Sequence, residues 1–248
     1  MVVGAGQAGL AVSHELTQAG VEHVVLEKGR VGQTWGGRWD SFCLVTPNWF
    51  LQLPDHHYDG DDPDGFMPRD EIVAYLERYA ARFEAPVRQG IEVTLLHPRP
   101  DGDFLLETSA GEIVARTVVL CTGAYQRPHR PVGAATLHAG LLQIDVEDYR
   151  NPAELPAGPV LVVGSGQSGC QISEELHRAG REVFLACGRA SWFPRRFGDR
   201  DLSWWALETR FLDASLSSRG IGSWPAMDTS AWVCTSMART RSTPIDAR

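Results

Sequence analysis

The chain opens with a short apolar run that leads through a glycine-rich turn into a helical pattern of apolar residues. Val2 and Val3 precede the turn, and positions 10–19 have helical spacing. A strand-like run over positions 23–26 follows and ends in Glu27. The order strand, glycine turn, helix, strand predicts a parallel βαβ unit.

The opening pattern returns 160 residues later in the chain. Val162 and Val163 lead into a second glycine turn, a helix that ends at Gly180, and a strand-like run over 182–185. A shift of 160 places identical residues on Val2, Val3, Gly4, Gly6, Gln7, Gly9, Ser13, Glu15, Leu16, Ala19 and Gly20. This internal repeat predicts an α/β fold with two Rossmann-like dinucleotide-binding domains.

The stretch between the two units predicts irregular connections and a few further elements. Positions 29–68 are rich in Gly, Pro, Trp and Asp and predict long loops. Asp70 is predicted to cap a helix over 71–83, and the apolar positions 117–121 predict a buried strand. Alternating residues predict short antiparallel strands at 91–93, 104–107 and 112–114.

Both glycine turns fit the pattern G-x-G-x-x-G, in which each glycine has a separate task. The first forms a tight turn, the second lets the backbone approach a pyrophosphate, and the third lets helix and strand pack closely. The helix N-terminus adds amide donors and partial positive charge, which favours phosphate binding over a turn without a ligand. The candidate cofactor-binding residues are Gly4, Gly6, Gln7, Ala8 and Gly9 in the first copy and Gly164, Ser165, Gly166, Gln167, Ser168 and Gly169 in the second.

The two copies differ at the end of their second strand. Glu27 stands in the first copy, where a carboxylate accepts hydrogen bonds from a ribose 2′-hydroxyl. The matching residue of the second copy is Cys187, and Arg189 can pair with a 2′-phosphate. The first copy is therefore assigned to FAD, and the second to NADPH in preference to NADH. Arg195 and Arg196 are further candidates, with an exposed basic face as the equal alternative.

Composition and charge narrow the classes of function. The net charge of −8 and the pI of about 5.5 argue against a nucleic-acid-binding protein. No apolar run reaches the roughly 18 to 20 residues of a transmembrane helix, and no secretory signal is visible. The 5 cysteines are scattered without a C-x-x-C pair, which indicates reduced thiols in a cytoplasmic protein and removes disulfide reduction as the activity. Oxygen is then the expected acceptor of electrons that NADPH passes to the flavin.

Further motifs accompany the glycine turns in a fixed order. They are Gly32-Gln33-Thr34-Trp35, Arg38-Trp39-Asp40, Thr46-Pro47-Asn48, Cys121-Thr122-Gly123-Ala124-Tyr125 and Asp148-Tyr149-Arg150-Asn151-Pro152. With the glycine turns they cover the chain to about Leu216. In these motifs the chain resembles the flavin-containing and Baeyer–Villiger-type monooxygenases, specifically their small bacterial relatives.

The resemblance implies a reaction and places residues around it. NADPH would reduce FAD, the reduced flavin would form a C4a-hydroperoxide with molecular oxygen, and one oxygen atom would pass to a small-molecule substrate at nitrogen, sulfur or a carbonyl carbon. Thr34, Trp35 and Gly123 would lie beside the FAD, and Asn48 would lie near the flavin ring as the candidate catalytic residue. The alternatives are core packing for Trp35 and Trp39 and an ordinary turn residue for Asn48.

The resemblance also predicts the domain organisation. An FAD-binding domain would occupy 1–143, a linker 144–159, a partial NADPH-binding domain 160–216 and an irregular tail 217–248, with the NADPH domain inserted into the FAD domain. The final strand of the FAD domain is expected to be missing, and only two apolar residues precede the first glycine turn. A truncated or frame-disrupted product is therefore expected.

Other functions remain open from the sequence. Asp145 stands where the family's linker carries a His, and the FAD half is expected to be incomplete. The alternatives are a non-catalytic nucleotide-binding fragment that no longer holds flavin, and an NADPH-dependent flavin reductase or oxidase that inserts no oxygen. The acidic and histidine-rich cluster at 55–64 is interpreted as a solvated loop, and no metal site is expected. The sequence does not indicate an oligomeric state.

Overall fold

The computed structural model describes residues 1–124, 128–188, 194–211 and 213. They form two compact units, of which the first comprises Met1–Gly158 and Arg178–Gly180. The second comprises Pro159–His177 and the described residues that follow Gly180. The predicted linker 144–159 thus lies within the first unit, except for its last residue, Pro159.

The helices and strands alternate in the first part of each unit, as in an α/β fold. In chain order they are β1 (Val2–Val3), α1 (Gln7–Gln18), β2 (Val25–Glu27), α2 (Gln33–Gly36), β3 (Gln52–Leu53), β4 (His56–His57), α3 (Arg69–Arg82), β5 (Val87–Gln89), β6 (Val93–Pro98), β7 (Phe104–Thr108), β8 (Gly111–Ala115), β9 (Val119–Leu120), β10 (Val160–Val163), α4 (Gln167–Arg178), β11 (Val183–Ala186), β12 (Arg196–Phe197), β13 (Arg200–Asp201) and α5 (Leu202–Glu208). Short 3₁₀ helices lie at Asn48–Phe50, Val132–Thr136 and Pro152–Glu154.

A four-stranded parallel sheet in the order β5-β2-β1-β9 organises the first unit. Val2 pairs with Val25 on one side and with Val119 on the other. The chain therefore runs outward from β1 through β2 to β5 and then returns to the far side of β1. The carboxyl ends of β1 and β9 meet at this reversal, and such a switch point is where open α/β sheets bind ligands. The predicted parallel βαβ unit is confirmed.

Helices α1 and α3 contribute several large buried side chains to the core of the first unit. Leu10 of α1 is fully buried, as are Tyr75, Leu76 and Tyr79 at helical spacing on α3. The prediction that Asp70 caps α3 is wrong, because the helix begins at Arg69 with Pro68 in the capping position. The Asp70 carboxylate instead lies in the first turn and pairs with Arg69 at 2.7 Å, where a negative charge suits the helix dipole.

The predicted antiparallel strands form a second sheet in the order β6-β7-β8. Fully buried Leu106 of β7 packs in one cluster with Val3 and Leu26, so this sheet contributes to the core of the first unit. The first strand begins at Val93 rather than at position 91. The cause is that the Ile91 amide donates to the Glu27 carbonyl oxygen at 2.9 Å and thereby extends the parallel sheet.

The second unit contains the repeated βαβ element. Strands β10 and β11 pair in parallel with Val160 opposite Val183, and Leu176 of α4 is fully buried. The other face of this two-stranded sheet leaves Leu161, Val163 and Phe184 more than half exposed. A second parallel unit is thus confirmed. No helix among the described residues combines the length and apolar character needed to cross a bilayer.

Candidate dinucleotide-binding sites

The first glycine turn follows β1 at the switch point of the parallel sheet. Gly4 has a φ of +103°, which L-residues with a side chain rarely adopt, and a Cβ built there would collide with the carbonyl of Cys121. A Cβ on Gly9 would collide with the carbonyl of Gly4. Two of the three glycines are therefore fixed by the close approach of the turn to β9 and α1.

The remaining glycine of this turn faces open space. No atom lies within 4 Å of a Cβ built on Gly6, the residue in the N-cap position of α1. The helix has no side-chain cap and no acidic residue in its first turn. Its N-terminal amides, including those of Gln7 and Ala8, therefore provide partial positive charge next to unfilled space, an arrangement suited to a phosphate.

Glu27 holds the turn and the end of β2 together. Its side chain is buried, with Oε2 accepting from the Ala5 amide at 2.7 Å and Oε1 accepting from the Gly29 amide at 2.9 Å. Each carboxylate oxygen has two acceptor positions. The Glu27 carboxylate, which joins the turn to the end of β2, can therefore accept a further hydrogen bond from a hydroxyl group.

Helix α2 carries two of the residues expected beside FAD. Thr34 is exposed, and Trp35 is half-buried with its ring 5.7 Å from that of Phe42. Trp39, just after the helix, is fully buried and meets Phe42 edge-on at 5.0 Å. The structure thus places Trp39 in the core and leaves Thr34 and part of Trp35 open.

Asn48 lies in a buried turn rather than on an open surface. Its amide nitrogen Nδ2 donates to the Asp62 carbonyl at 2.9 Å, and its backbone amide donates to the Gly65 carbonyl at 2.9 Å. Its Oδ1 is buried without a hydrogen-bond partner among the described residues. The side chain therefore braces the loop at 62–65 and keeps one acceptor unsatisfied.

The segment after β9 brings Gly123 to the same edge of the sheet as the first glycine turn. The Cys121 amide donates to the Val3 carbonyl at 2.8 Å, and Gly123 is exposed with a φ of +79°. Tyr125, part of the motif that continues from here, lies outside the described residues. Gly4 and Gly123 thus follow the ends of the neighbouring strands β1 and β9, and Gly9 lies close by in the first turn of α1.

The second glycine turn reproduces the geometry of the first. Gly164 has a φ of +110°, and a Cβ on Gly169 would collide with the Gly164 carbonyl. Gly166 faces open space, and α4 has no acidic residue in its first turn, where Gln167 and Ser168 lie. The same physical features that suit the first turn to a phosphate therefore recur here.

In the second unit, Ser165 takes the role that Glu27 has in the first, which is to join the glycine turn to the end of the second strand. This buried hydroxyl accepts from the Gly188 amide at 3.3 Å and so joins the turn to the end of β11. Cys187 is exposed at the position equivalent to Glu27, and Arg189 lies outside the described residues. The described part of this site therefore contains no carboxylate that would repel a 2′-phosphate at the position of Glu27.

The two further arginine candidates of the second unit bind within their own hairpin. Arg195 Nε donates to Asp201 at 2.7 Å, and Arg196 Nη2 donates to the Asp199 carbonyl at 2.9 Å. Among the described residues, no group of three or more His, Cys, Asp or Glu side chains is arranged to hold a metal ion.

A polar network around Asp40 was not anticipated from the sequence. Arg69 and Asn151 both donate to the Asp40 carboxylate, at 3.0 and 2.8 Å. Arg150 Nη1 donates to the Gly37 carbonyl at 3.2 Å. Asp40, Arg150 and Asn151 belong to two motifs that are visible in the sequence, but nothing in either motif indicates that they contact each other.

Comparison with known proteins agrees with this geometry. A family model described as pyridine nucleotide-disulphide oxidoreductase matches residues 1–208. An uncharacterized CzcO-like oxidoreductase of Geobacillus kaustophilus is 39% identical over 220 residues, which are 88% of this chain and 62% of that protein. The indole-3-pyruvate monooxygenase YUCCA1 of Oryza sativa is 31% identical over 227 residues, which are 82% of this chain and 56% of that protein.

The solved structures show the same likeness. A variant of a flavin monooxygenase from Stenotrophomonas maltophilia has a TM-score of 0.70 and 25% sequence identity, and the match covers 82% of this chain and 60% of that one. The chain therefore spans less than two thirds of the length of each of these three proteins.

Proposed function

Since the chain belongs to the pyridine nucleotide-disulphide oxidoreductase family, we propose that it carries the two nucleotide sites of an FAD- and NADPH-dependent monooxygenase. The single observation that carries the proposal is the repeated turn geometry. Gly4 and Gly164 adopt nearly the same φ, and Gly9 and Gly169 approach the preceding carbonyl in the same way. The likeness to flavin monooxygenases supports the assignment of the reaction.

The first turn suits the adenosine diphosphate half of FAD. Its uncapped helix N-terminus would receive the phosphates, and Glu27 would accept from a ribose hydroxyl. Thr34, Trp35 and Gly123 would contact the cofactor further along, because Thr34 and Gly123 are exposed and Trp35 is only half-buried. Asn48 would lie near the flavin ring, where its unsatisfied Oδ1 could accept a hydrogen bond.

The second turn suits NADPH better than NADH. Cys187 leaves the end of β11 uncharged where a carboxylate would repel a 2′-phosphate. Arg189, two residues later, would supply the positive charge that pairs with that phosphate. Gly164, Ser165, Gly166, Gln167, Ser168 and Gly169 would surround the pyrophosphate.

Bound flavin would supply hydride acceptance from NADPH and transfer of one atom of molecular oxygen to a small organic substrate at nitrogen, sulfur or a carbonyl carbon. The residues of this chain would bind and orient the two nucleotides. The absence of a C-x-x-C pair from the sequence favours oxygen over a protein disulfide as the acceptor.

An absorbance spectrum of the purified chain tests the proposal. Flavin bands that bleach when NADPH is added without oxygen are the expected result, and NADH should bleach them more slowly. Admitting oxygen with candidate amines, sulfides and ketones then separates oxygen insertion from a reductase or oxidase, which would yield only hydrogen peroxide. A colourless chain that takes up no added FAD would reduce the function to that of a nucleotide-binding fragment.

A further inference from the structure

The C-terminal end of α2 is held by two arginines from distant parts of the chain. Gly37 and Arg38 directly follow α2, and their backbone carbonyls accept hydrogen bonds from these arginines. Arg150 Nη1 donates to the first at 3.2 Å, and Arg69 Nη1 donates to the second at 3.0 Å. Cations at a helix C-terminus also interact favourably with its dipole.

Asp40 links α3, which carries Arg69, to the segment that carries Arg150 and Asn151. Its Oδ1 accepts from Arg69 at 3.0 Å and its Oδ2 from Asn151 at 2.8 Å, while its backbone amide donates to the Arg150 carbonyl at 2.9 Å. The hydrogen bond from Asn151 and then that from Arg69 lower the pKa of the Asp40 carboxyl group. The carboxylate is therefore charged near neutral pH, and each of its oxygens accepts a hydrogen bond.

The segment that supplies Arg150 and Asn151 is itself well ordered by local bonds. We call residues 145–154 the strap. Its first residue, Asp145, accepts a two-pronged pair from Arg130 at 2.8 and 3.0 Å, and its carbonyl accepts from the Tyr149 amide at 3.2 Å. Near its end, Asn151 Oδ1 caps the turn at Pro152–Glu154 by accepting from two backbone amides. Local hydrogen bonds therefore fix the conformation of the strap where it contacts the end of α2.

We propose that Asp40 and Asn151 are positioning residues that couple the strap to FAD binding at α2. Thr34 and Trp35 lie on that helix, and the helix is only four residues long, so its placement depends on the contacts at its ends. Breaking the Asp40–Asn151 contact loosens the strap against the end of α2 and thereby weakens the binding of FAD. FAD in turn protects the strap, because coupling between two sites is reciprocal. This inference rests on the proposed FAD site.

Three variants test the coupling in the full chain. Asn151→Asp keeps the cap of the 3₁₀ turn but places a second carboxylate against Asp40. The exchange Asp40→Asn with Asn151→Asp restores an amide-to-carboxylate hydrogen bond in the opposite sense. Glu154→Gln is the matched control, since Glu154 lies 3.3 Å from the same amide nitrogen but outside the contact with Asp40.

The first measurement is the dissociation constant of FAD, followed by quenching of flavin fluorescence. Asn151→Asp is expected to raise it by on the order of tenfold, the exchanged pair to recover most of that loss, and Glu154→Gln to leave it unchanged. The second is hydrogen exchange of the backbone amides of the strap. FAD should slow exchange in the parent chain and in the exchanged pair but not in Asn151→Asp.

The outcomes separate this inference from the proposed function. If the parent chain takes up no FAD, both are overturned. If the parent binds FAD and Asn151→Asp binds it equally well while its strap exchanges faster, the contact is structural only. A weakened Asn151→Asp that the exchanged pair does not rescue would also overturn the coupling, because general misfolding would then explain the loss.

Discussion

At the scale of single residues, the two turns show which glycines are structural and which leave space for a ligand. Gly9 and Gly169 have no room for a side chain because a carbonyl lies where their Cβ would be. Gly6 and Gly166 have nothing within 4 Å at that position. Since neither of these two has a positive φ, a side chain is sterically tolerated there in the absence of ligand.

This difference allows each site to be blocked separately. Gly6→Asp should preserve the fold, since Asp is a favoured N-cap residue, while its carboxylate takes the amide donors and repels phosphate. We expect on the order of 100-fold weaker FAD binding, with little change in the melting temperature of the chain without ligand. Gly166→Asp should instead leave FAD bound and slow its reduction by NADPH.

Titration of each variant with FAD and with NADP⁺ makes the two sites distinguishable. Gly90→Asp would be an unsuitable control because its φ is +75° and the substitution itself strains the backbone. Gly133→Asp is the better one, because no atom lies within 4 Å of its Cβ and its φ is not positive. Equal loss of both nucleotides in Gly6→Asp would contradict separate sites.

At the scale of elements, helix α3 and the β3–β4 hairpin form a stacked aromatic contact. The His56 ring lies 4.7 Å from that of Tyr75 and 5.5 Å from that of Tyr79. Arg82 Nη1 lies 3.2 Å from His56 Nδ1, so Nδ1 is an acceptor and the neutral ring is the form that fits. The hairpin belongs to the loop region that also contains Asn48, the proposed flavin-side residue.

The surroundings of His56 predict that the stability of the fold depends on pH. Burial, followed by the charge of Arg82, lowers the pKa of His56 below the ordinary histidine value of about 6.5, although Asp59 opposes the shift. The unfolded chain then binds more protons than the folded one below about pH 6.5, so the free energy of unfolding should fall as the pH drops through that value. Urea unfolding at pH values from about 7.5 down to about 5 measures this.

Two variants identify the responsible group. His56→Gln should flatten the pH dependence, because it removes the group whose protonation the fold resists. The neighbouring exposed His57→Gln should leave the dependence in place, since the stacking involves only His56. A parent chain whose unfolding free energy is constant over this range would show that the ring protonates without cost.

Much of the element order was predictable because the glycine turns restrict residue type. Only glycine readily adopts the positive φ found at Gly4 and Gly164, and only glycine fits beside the close carbonyls at Gly9 and Gly169. The spacing of the glycines in the sequence therefore predicts the geometry of each turn. The network around Asp40 left no such trace. It joins positions 111 apart through polar side chains, and hydrogen bonds of this kind have no sequence period that would reveal them.

At the scale of the whole molecule, the two units bury their apolar strands to different degrees. The parallel sheet of the first unit has Val2 and Val25 fully buried, as expected for strands with both faces covered. In the second unit the apolar run of β10 predicts the same, but burial alternates along the strand. Sequence alone could not show this, because covering a sheet depends on which other elements the chain supplies.

The uncovered face predicts self-association of this chain. Leu161, Val163 and Phe184 are each more than half exposed and lie side by side on β10 and β11. When two such faces meet, their apolar side chains lose unfavourable contact with water.

Sedimentation velocity should show a mean mass of the chain that rises with its concentration. Leu161→Gln with Phe184→Gln should reduce that rise at little cost in stability, because exposed positions contribute little to the core. Val162→Gln, on the covered side of β10, is the matched contrast and should lower the melting temperature while leaving association intact. A parent chain that stays monomeric at every concentration would show that this face is not adhesive.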